Sequence, residues 1–138
     1  MRVLIDADVL LDIALDRLLF ADESSAAVEQ CQQAPQSALL AWHTVSNVYY
    51  VLRAARTDSK ARTFLLEILR FAVVARAETD AVIRAFSLPL SDFEDALQVA
   101  AAQAANADVI LTRNVRDYRG SPVTIQTPHD FLQRHQNQ

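Results

Sequence analysis

Short apolar runs alternate with amphipathic stretches along the whole chain, and this order constrains the fold more than any other feature. The runs that predict strands lie at residues 3–5, 37–42, 71–74, 109–111 and 123–125. Between them, apolar residues recur every three or four positions, as on one face of a helix. This alternation predicts an α/β domain around a mostly parallel sheet of four or five strands. Since no linker or repeat interrupts the pattern, residues 1–138 are expected to form a single domain.

The composition excludes several kinds of site. Gly120 is the only glycine, which excludes the glycine-rich loops that hold phosphate in P-loop and dinucleotide-binding proteins. The 13 basic and 17 acidic side chains give a net charge of −4. An acidic chain is a poor candidate for charge-driven binding to nucleic acid, although a nuclease that holds phosphate through metal ions stays possible. With Cys31 as the only cysteine and no signal-peptide or membrane-spanning pattern, we expect a cytoplasmic protein.

Polar side chains from distant segments are expected at one edge of the sheet, because sites in parallel sheets form outside the carboxyl ends of the strands. The segments that follow the first, second and fourth strands, and the start of the helix before the fourth, supply these residues: Asp6, Asp8, His43, Thr44, Asn47, Asp92, Glu94, Asp95, Thr112, Asn114 and Asp117. Carboxylates brought together repel one another unless protons or cations neutralise them. Oxygen ligands without clustered cysteine or histidine favour Mg²⁺ or Mn²⁺, ions that support phosphodiester hydrolysis.

Several of these residues also have structural explanations. Asp8 is a candidate helix cap, and the segment Ser91-Asp92-Phe93-Glu94 is typical of a capping box, with Ser91 as the N-cap. Histidines without metal-ligand spacing are expected in structural or surface positions. Three aromatic residues follow core periodicity and are expected to pack in the interior: Trp42, Tyr49 and Tyr50.

Four segments, in order along the whole chain, resemble motifs of the PIN-domain family. They are VLIDADVLLD at 3–12, DFEDALQ at 92–98, LTRNVRDY at 111–118, and the TP and FL pairs of the last helix, at 127–128 and 131–132. The resemblance implies a three-layer α/β/α fold and an Mg²⁺- or Mn²⁺-dependent endoribonuclease. Many bacterial members of this size are VapC-like toxins of toxin–antitoxin pairs, so the resemblance also implies an RNA substrate and an antitoxin partner. The acids that it implies are Asp6, Asp95 and Asp117, supported by Thr112 and Asn114.

One position departs from the family pattern. Most members carry a Glu on the helix after the second strand, where this chain has Asn47. We include Asn47 among the catalytic residues, with Asp92 as an additional metal ligand that partly replaces the missing carboxylate. Asp92 and Asp95 are three residues apart, so they lie on neighbouring positions of one helix face.

The remaining expectations concern partners and competing functions. An alanine-rich helical surface with aromatic residues predicts a homodimer that also binds a small protein. RNA phosphates are expected to contact Arg113 and Arg116, within a wider group that includes Arg53, Arg56 and Arg119. Asp6-Ala7-Asp8 also fits a haloacid-dehalogenase phosphatase, but the only lysine, Lys60, lies in a surface-like helix. The stronger alternative is a catalytically degenerate PIN-like module that binds RNA or a partner protein.

Overall fold

The computed structural model describes residues 1–136, and its centre is a sheet of five parallel strands. The strands are β1 (Val3–Ile5), β2 (Ala38–Leu40), β3 (Val73–Val74), β4 (Val109–Leu111) and β5 (Thr124–Gln126), in the order β3-β2-β1-β4-β5. The predicted parallel sheet is therefore confirmed, and all five strands are parallel. Every connection is a crossover, so the carboxyl ends of all strands lie at one edge.

Helices cover both faces of the sheet. They are α1 (Ala7–Ala14), α2 (Ala21–Gln30), α3 (Trp42–Ala55), α4 (Asp58–Ile68), α5 (Thr79–Ala85), α6 (Phe93–Ala104) and α7 (Pro128–Gln136). Side chains alternate along β1: Val3 and Ile5 pack with apolar residues of α1 to α4 and α7, whereas Leu4 faces those of α6. The result is the expected three-layer α/β/α architecture, in which the three central strands β2, β1 and β4 are fully buried and the edge strands β3 and β5 are partly exposed.

Some element boundaries differ from the predicted ones. The second strand was predicted over 37–42, but Ser37 belongs to a turn, where its hydroxyl lies within hydrogen-bond distance of the carbonyl oxygens of Cys31 and Ala34. At the other end of this strand, Trp42 is already the first residue of α3. The capping box is wrong by one position: Asp92, not Ser91, is the N-cap of α6, and its Oδ1 accepts from the Asp95 backbone at 3.1 Å.

Two aromatic residues that were expected in the interior lie on the surface. Trp42 is 78% exposed and Tyr50 is 60% exposed, whereas Tyr49 is half-buried. Both exposed rings lie on α3, on the side turned away from the sheet. Periodicity cannot distinguish a stripe that packs on the sheet from a second stripe left for another surface. Within residues 1–136, no helix combines the length and the apolar character needed to cross a bilayer.

Candidate active site

Asp6 lies at the carboxyl end of the central strand, where four donors surround its carboxylate. The Ala7 amide, at 2.8 Å, and Gln98 Nε2, at 3.2 Å, donate to Oδ1. Thr112 Oγ1, at 2.8 Å, and the Tyr118 hydroxyl, at 3.0 Å, donate to Oδ2. Because the donors belong to α1, α6 and the segment after β4, the fold fixes the orientation of this carboxylate from three directions.

Asp8 lies beside Asp6 on the first turn of α1, and its two oxygens differ in their hydrogen bonding. Oδ2 accepts from the Arg113 backbone amide at 3.1 Å and lies 3.3 Å from Thr112 Oγ1. Oδ1 is buried and makes no hydrogen bond within the described part of the chain. Burial, and next the charge of Asp6, raise the pKa of Asp8 to about 7. Burial of a carboxylate oxygen without a hydrogen bond costs free energy unless a proton or a cation neutralises the group.

The start of α6 brings a second group of acids to the same edge. Burial raises the pKa of Asp95 to about 6, and the negative charges of Asp92, Asp6 and Asp117 contribute to the rise. The Tyr118 hydroxyl, which donates to Asp6, is close enough to Asp95 to oppose part of it. The three predicted acids, from the end of β1, from α6 and from the 3₁₀ helix Val115–Tyr118, therefore form one electrostatic cluster.

Asn47 reaches this edge from α3 and is bound to Glu94. Its Nδ2 donates to Glu94 Oε1 at 2.7 Å, across two helices. Glu94 was explained structurally as part of a capping box, but in the folded chain it contacts Asn47 instead. Asp92 has the cap position, and its role as a metal ligand stays a prediction.

The segment after β4 holds the remaining predicted residues. Thr112 is buried, and its Oγ1 also accepts from the Asn114 amide at 3.1 Å, while the Asn114 side chain is exposed. The Arg113 guanidinium points toward α1 and α2: its Nε lies 2.6 Å from Asp12 Oδ2, and the group covers the Phe20 ring at 4.1 Å. Arg116 is exposed and forms no ion pair within residues 1–136.

Two residues of the site, Gln98 and Tyr118, were not predicted, whereas His43 was expected at this edge. Gln98 is buried and links two elements, since its Nε2 donates to Asp6 while its Oε1 accepts from Thr44 Oγ1 at 3.3 Å. Its position three residues after Asp95, on an otherwise alanine-rich helix face, is a signal that could have identified it. Tyr118 follows Asp117 directly and has no comparable signal. Burial lowers the pKa of His43, against the charges of Glu94 and Asp6, so this histidine also lies near the acids.

The donor chemistry of the site fits a hard divalent cation. In the described residues 1–136, no three acidic, histidine or cysteine side chains form a ready cation cage. The fit depends instead on oxygen ligands, on the buried Oδ1 of Asp8, which has no hydrogen-bond partner within residues 1–136, and on two carboxyl groups, Asp8 and Asp95, whose pKa values are raised by burial and by neighbouring carboxylates. Carboxylate oxygen is the ligand that Mg²⁺ and Mn²⁺ prefer.

A sequence model of the PIN domain matches residues 2–116. The chain belongs to the PIN domain family. The matched region of this PIN domain contains β1 to β4 and includes Asp6, Asn47, Asp95 and Thr112, but it ends one residue before Asp117. A search of curated protein sequences finds no match.

Several solved structures of bacterial VapBC and toxin–antitoxin proteins share this fold. The VapBC2 complex of Rickettsia felis, bound to a promoter DNA fragment, has a TM-score of 0.75 at 12% identity, over 92% of this PIN domain and 98% of that chain. A toxin–antitoxin complex of Klebsiella pneumoniae gives 0.71 at 23%, over 91% and 97%. The sarcin-ricin loop cleaving toxin VapC20 of Mycobacterium tuberculosis gives 0.64 at 10%, over 78% and 86%. At these identities the likeness establishes the fold.

Proposed function

We propose that this PIN domain is a divalent-metal-dependent endoribonuclease and the toxin of a toxin–antitoxin pair. The observation that carries the proposal is the convergence of Asp6, Asp95 and Asp117, three acids from distant segments, at the carboxyl edge of the sheet. The family and the RNA-cleaving function named for VapC20 support the same activity.

The residues have separate roles in this activity. Asp6, Asp95 and Asp117 would hold Mg²⁺ or Mn²⁺, with Asp92 as an additional ligand and with the free oxygen of Asp8 available beside them. When bound, such an ion activates water and stabilises the charge that develops on phosphate during hydrolysis. Thr112, Tyr118 and Gln98 orient the Asp6 carboxylate. The Asn114 backbone amide donates to the Thr112 hydroxyl and helps to fix its orientation.

RNA binding is assigned to the 3₁₀ segment rather than to Arg113. Arg116 and Arg119 flank Asp117 and, with Pro89 and Ser91, line a pocket of about 540 Å³ beside the acids. Gly120 closes this pocket at a φ of +92°, and a Cβ there would lie 3.0 Å from the Pro89 carbonyl oxygen. Guanidinium groups next to a metal site are suited to the phosphates that flank the cleaved bond.

Two exposed apolar surfaces support the proposal that this PIN domain binds an antitoxin and a second copy of itself. A groove of about 660 Å³ between α3 and α4 is lined by apolar and aromatic side chains, including Trp42, Tyr50 and Leu66. A concave apolar groove suits a helix or strand of a small antitoxin. A separate patch at the end of α5 and the start of α6 includes Ile83 and the rings of Phe86 and Phe93, which are tilted by 42° with their centroids 4.6 Å apart, and we assign it to the homodimer.

A catalytically degenerate module that binds RNA or protein is the second candidate. It is favoured by Asn47, which brings no charge where a carboxylate was expected. Cleavage of defined RNAs by the purified chain, with Mn²⁺ or with excess chelator, separates the two functions. The nuclease function predicts Mn²⁺-dependent cleavage. Asp6→Asn and Asp95→Asn should each abolish this cleavage while the protein stays folded. Binding of RNA without metal-dependent cleavage of any RNA would favour the degenerate module.

A further inference from the structure

The hydrogen bond between Asn47 and Glu94 determines how the Asn47 amide is oriented. A carboxylate only accepts hydrogen bonds, so the atom 2.7 Å from Glu94 Oε1 is the amide nitrogen of Asn47. The oxygen of a planar amide points away from its nitrogen. In the part of the chain that the structure describes, Asn47 Oδ1 accepts no hydrogen bond, and it therefore stays free as a neutral oxygen ligand.

Glu94 places a negative charge at this edge of the sheet, and this charge is not needed to cap α6. The N-cap of α6 is Asp92, whose side chain accepts from the Asp95 amide, so the capping role is already filled. Glu94 is exposed, and Asn47 Nδ2 is its only hydrogen-bond partner within residues 1–136. The negative charges of Glu94 and Asp6 both act to raise the pKa of His43, one turn before Asn47 on α3, so this histidine lies within electrostatic range of both carboxylates.

We propose that Glu94 is a positioning residue of the metal site, which holds Asn47 with its carbonyl oxygen free and supplies the negative charge that Asn47 lacks. This inference rests on the proposed function. A single carboxylate at position 47 would supply both an oxygen ligand and a negative charge. Here Asn47 supplies the oxygen, and Glu94 supplies the charge and orients Asn47. Residues that orient metal ligands in this way affect metal affinity about 10–100-fold.

An exchange of the two groups tests the proposal, with Mn²⁺ affinity measured by calorimetry on the full chain without RNA. Glu94→Gln keeps the size of the side chain, removes its charge and weakens its bond to Asn47, and it should lower Mn²⁺ affinity about 10–100-fold. Asn47→Glu alone places two carboxylates in contact and is not expected to improve affinity. The double variant Asn47→Glu/Glu94→Gln restores one carboxylate and one amide, and it should recover most of the lost affinity.

The controls separate positioning from stability and from the proposed function itself. Glu67→Gln removes an exposed charge on α4 and should leave Mn²⁺ affinity unchanged. Thermal unfolding of each metal-free variant establishes that it is folded. Unchanged affinity in Glu94→Gln, or a double variant no better than Glu94→Gln, would overturn the role of Glu94 while leaving the nuclease in place. Absence of Mn²⁺ binding and cleavage in the unsubstituted chain would overturn both.

Discussion

The Nε atom of Arg113 lies 2.6 Å from Oδ2 of Asp12, a carboxylate that is completely buried in α1. Arg17 and Ser24 also bind this carboxylate, each at 3.2 Å. The contact fastens the segment after β4, which carries Thr112 and the 3₁₀ helix, to α1, which follows Asp6. Arg113 therefore stabilises the relative position of the two halves of the site.

Replacement of Arg113 should destabilise the fold. Arg113→Met leaves the buried Asp12 with Arg17 and Ser24 only, and we expect the free energy of unfolding in urea to fall by about 3 kcal/mol, as for a broken buried ion pair. Arg116→Met, which removes an exposed guanidinium, should change it by less than about 0.5 kcal/mol. Equal stability of the two variants would show that Arg113 has no such structural role.

Arg116 and Arg119 should determine RNA affinity without affecting stability. In an Asp6→Asn background, where cleavage is blocked, alanine at either position should weaken RNA binding. The slope of the logarithm of the binding constant against the logarithm of the salt concentration should decrease by the amount that corresponds to about one phosphate contact. Arg70→Ala, at an exposed position beyond the end of α4, is the matched control. Binding that keeps its affinity and salt dependence in both arginine variants would exclude this pocket from the RNA path.

The Tyr118 hydroxyl should matter beyond the packing of its ring. Tyr118→Phe keeps the buried ring but removes the hydroxyl. This hydroxyl donates to Asp6 at 3.0 Å, and its hydrogen bonding lowers the pKa of Asp95. We expect the pKa of Asp95 to rise further above about 6, so that Mn²⁺ binding requires a higher pH, and cleavage at pH 6.5 to fall about tenfold. Tyr50→Phe, whose hydroxyl is at the surface, should behave as the unsubstituted chain. A pH dependence of Mn²⁺ binding identical in both variants would contradict this role.

Stability of the metal-free protein should decrease with rising pH. The pKa of Asp8 is raised from 3.8 to about 7, so the folded state holds its proton more tightly than the unfolded state does. The stabilisation is complete below about pH 4 and is lost as the pH rises through about 7; Asp95 adds a similar loss through about 6. The midpoint of thermal unfolding, measured with chelator, should therefore decrease as the pH is raised from 4 to 8.

Asp8→Asn isolates the contribution of this residue. It should raise the midpoint at pH 7.5, where it removes a buried negative charge, and change it little at pH 4.5. Glu67→Gln should have little effect at either pH. Saturating Mn²⁺ should reduce the fall with pH in the unsubstituted chain, because the ion binds the ionised acids of the folded state. Midpoints of Asp8→Asn that follow those of the unsubstituted chain at every pH would rule out this explanation.

The sequence predicts the layered fold and the edge where the acids meet, because alternation and strand order determine which segment ends are neighbours. It does not predict which side chains touch. Arg113 is indistinguishable from Arg116 in the motif, yet one binds a buried carboxylate and the other faces solvent. Glu94 fits a capping box in the linear sequence, but the N-cap shifts by one residue, and its neighbour is Asn47, 47 positions away. Such contacts depend on helix rotation, which a periodic pattern determines only coarsely.

The order in which the chain is synthesised gives the arrangement around Asp6 a further meaning. Asp6 is made well before its side-chain donors Gln98, Thr112 and Tyr118, which lie 92, 106 and 112 positions later in the chain. Its strand is also flanked by β4, which is made nearly as late. A nascent chain on the ribosome thus carries the carboxylate without these side-chain donors until the segment after β4 has been made. The proposed nuclease would therefore gain a fully supported Asp6 carboxylate only once the segment after β4 has been made.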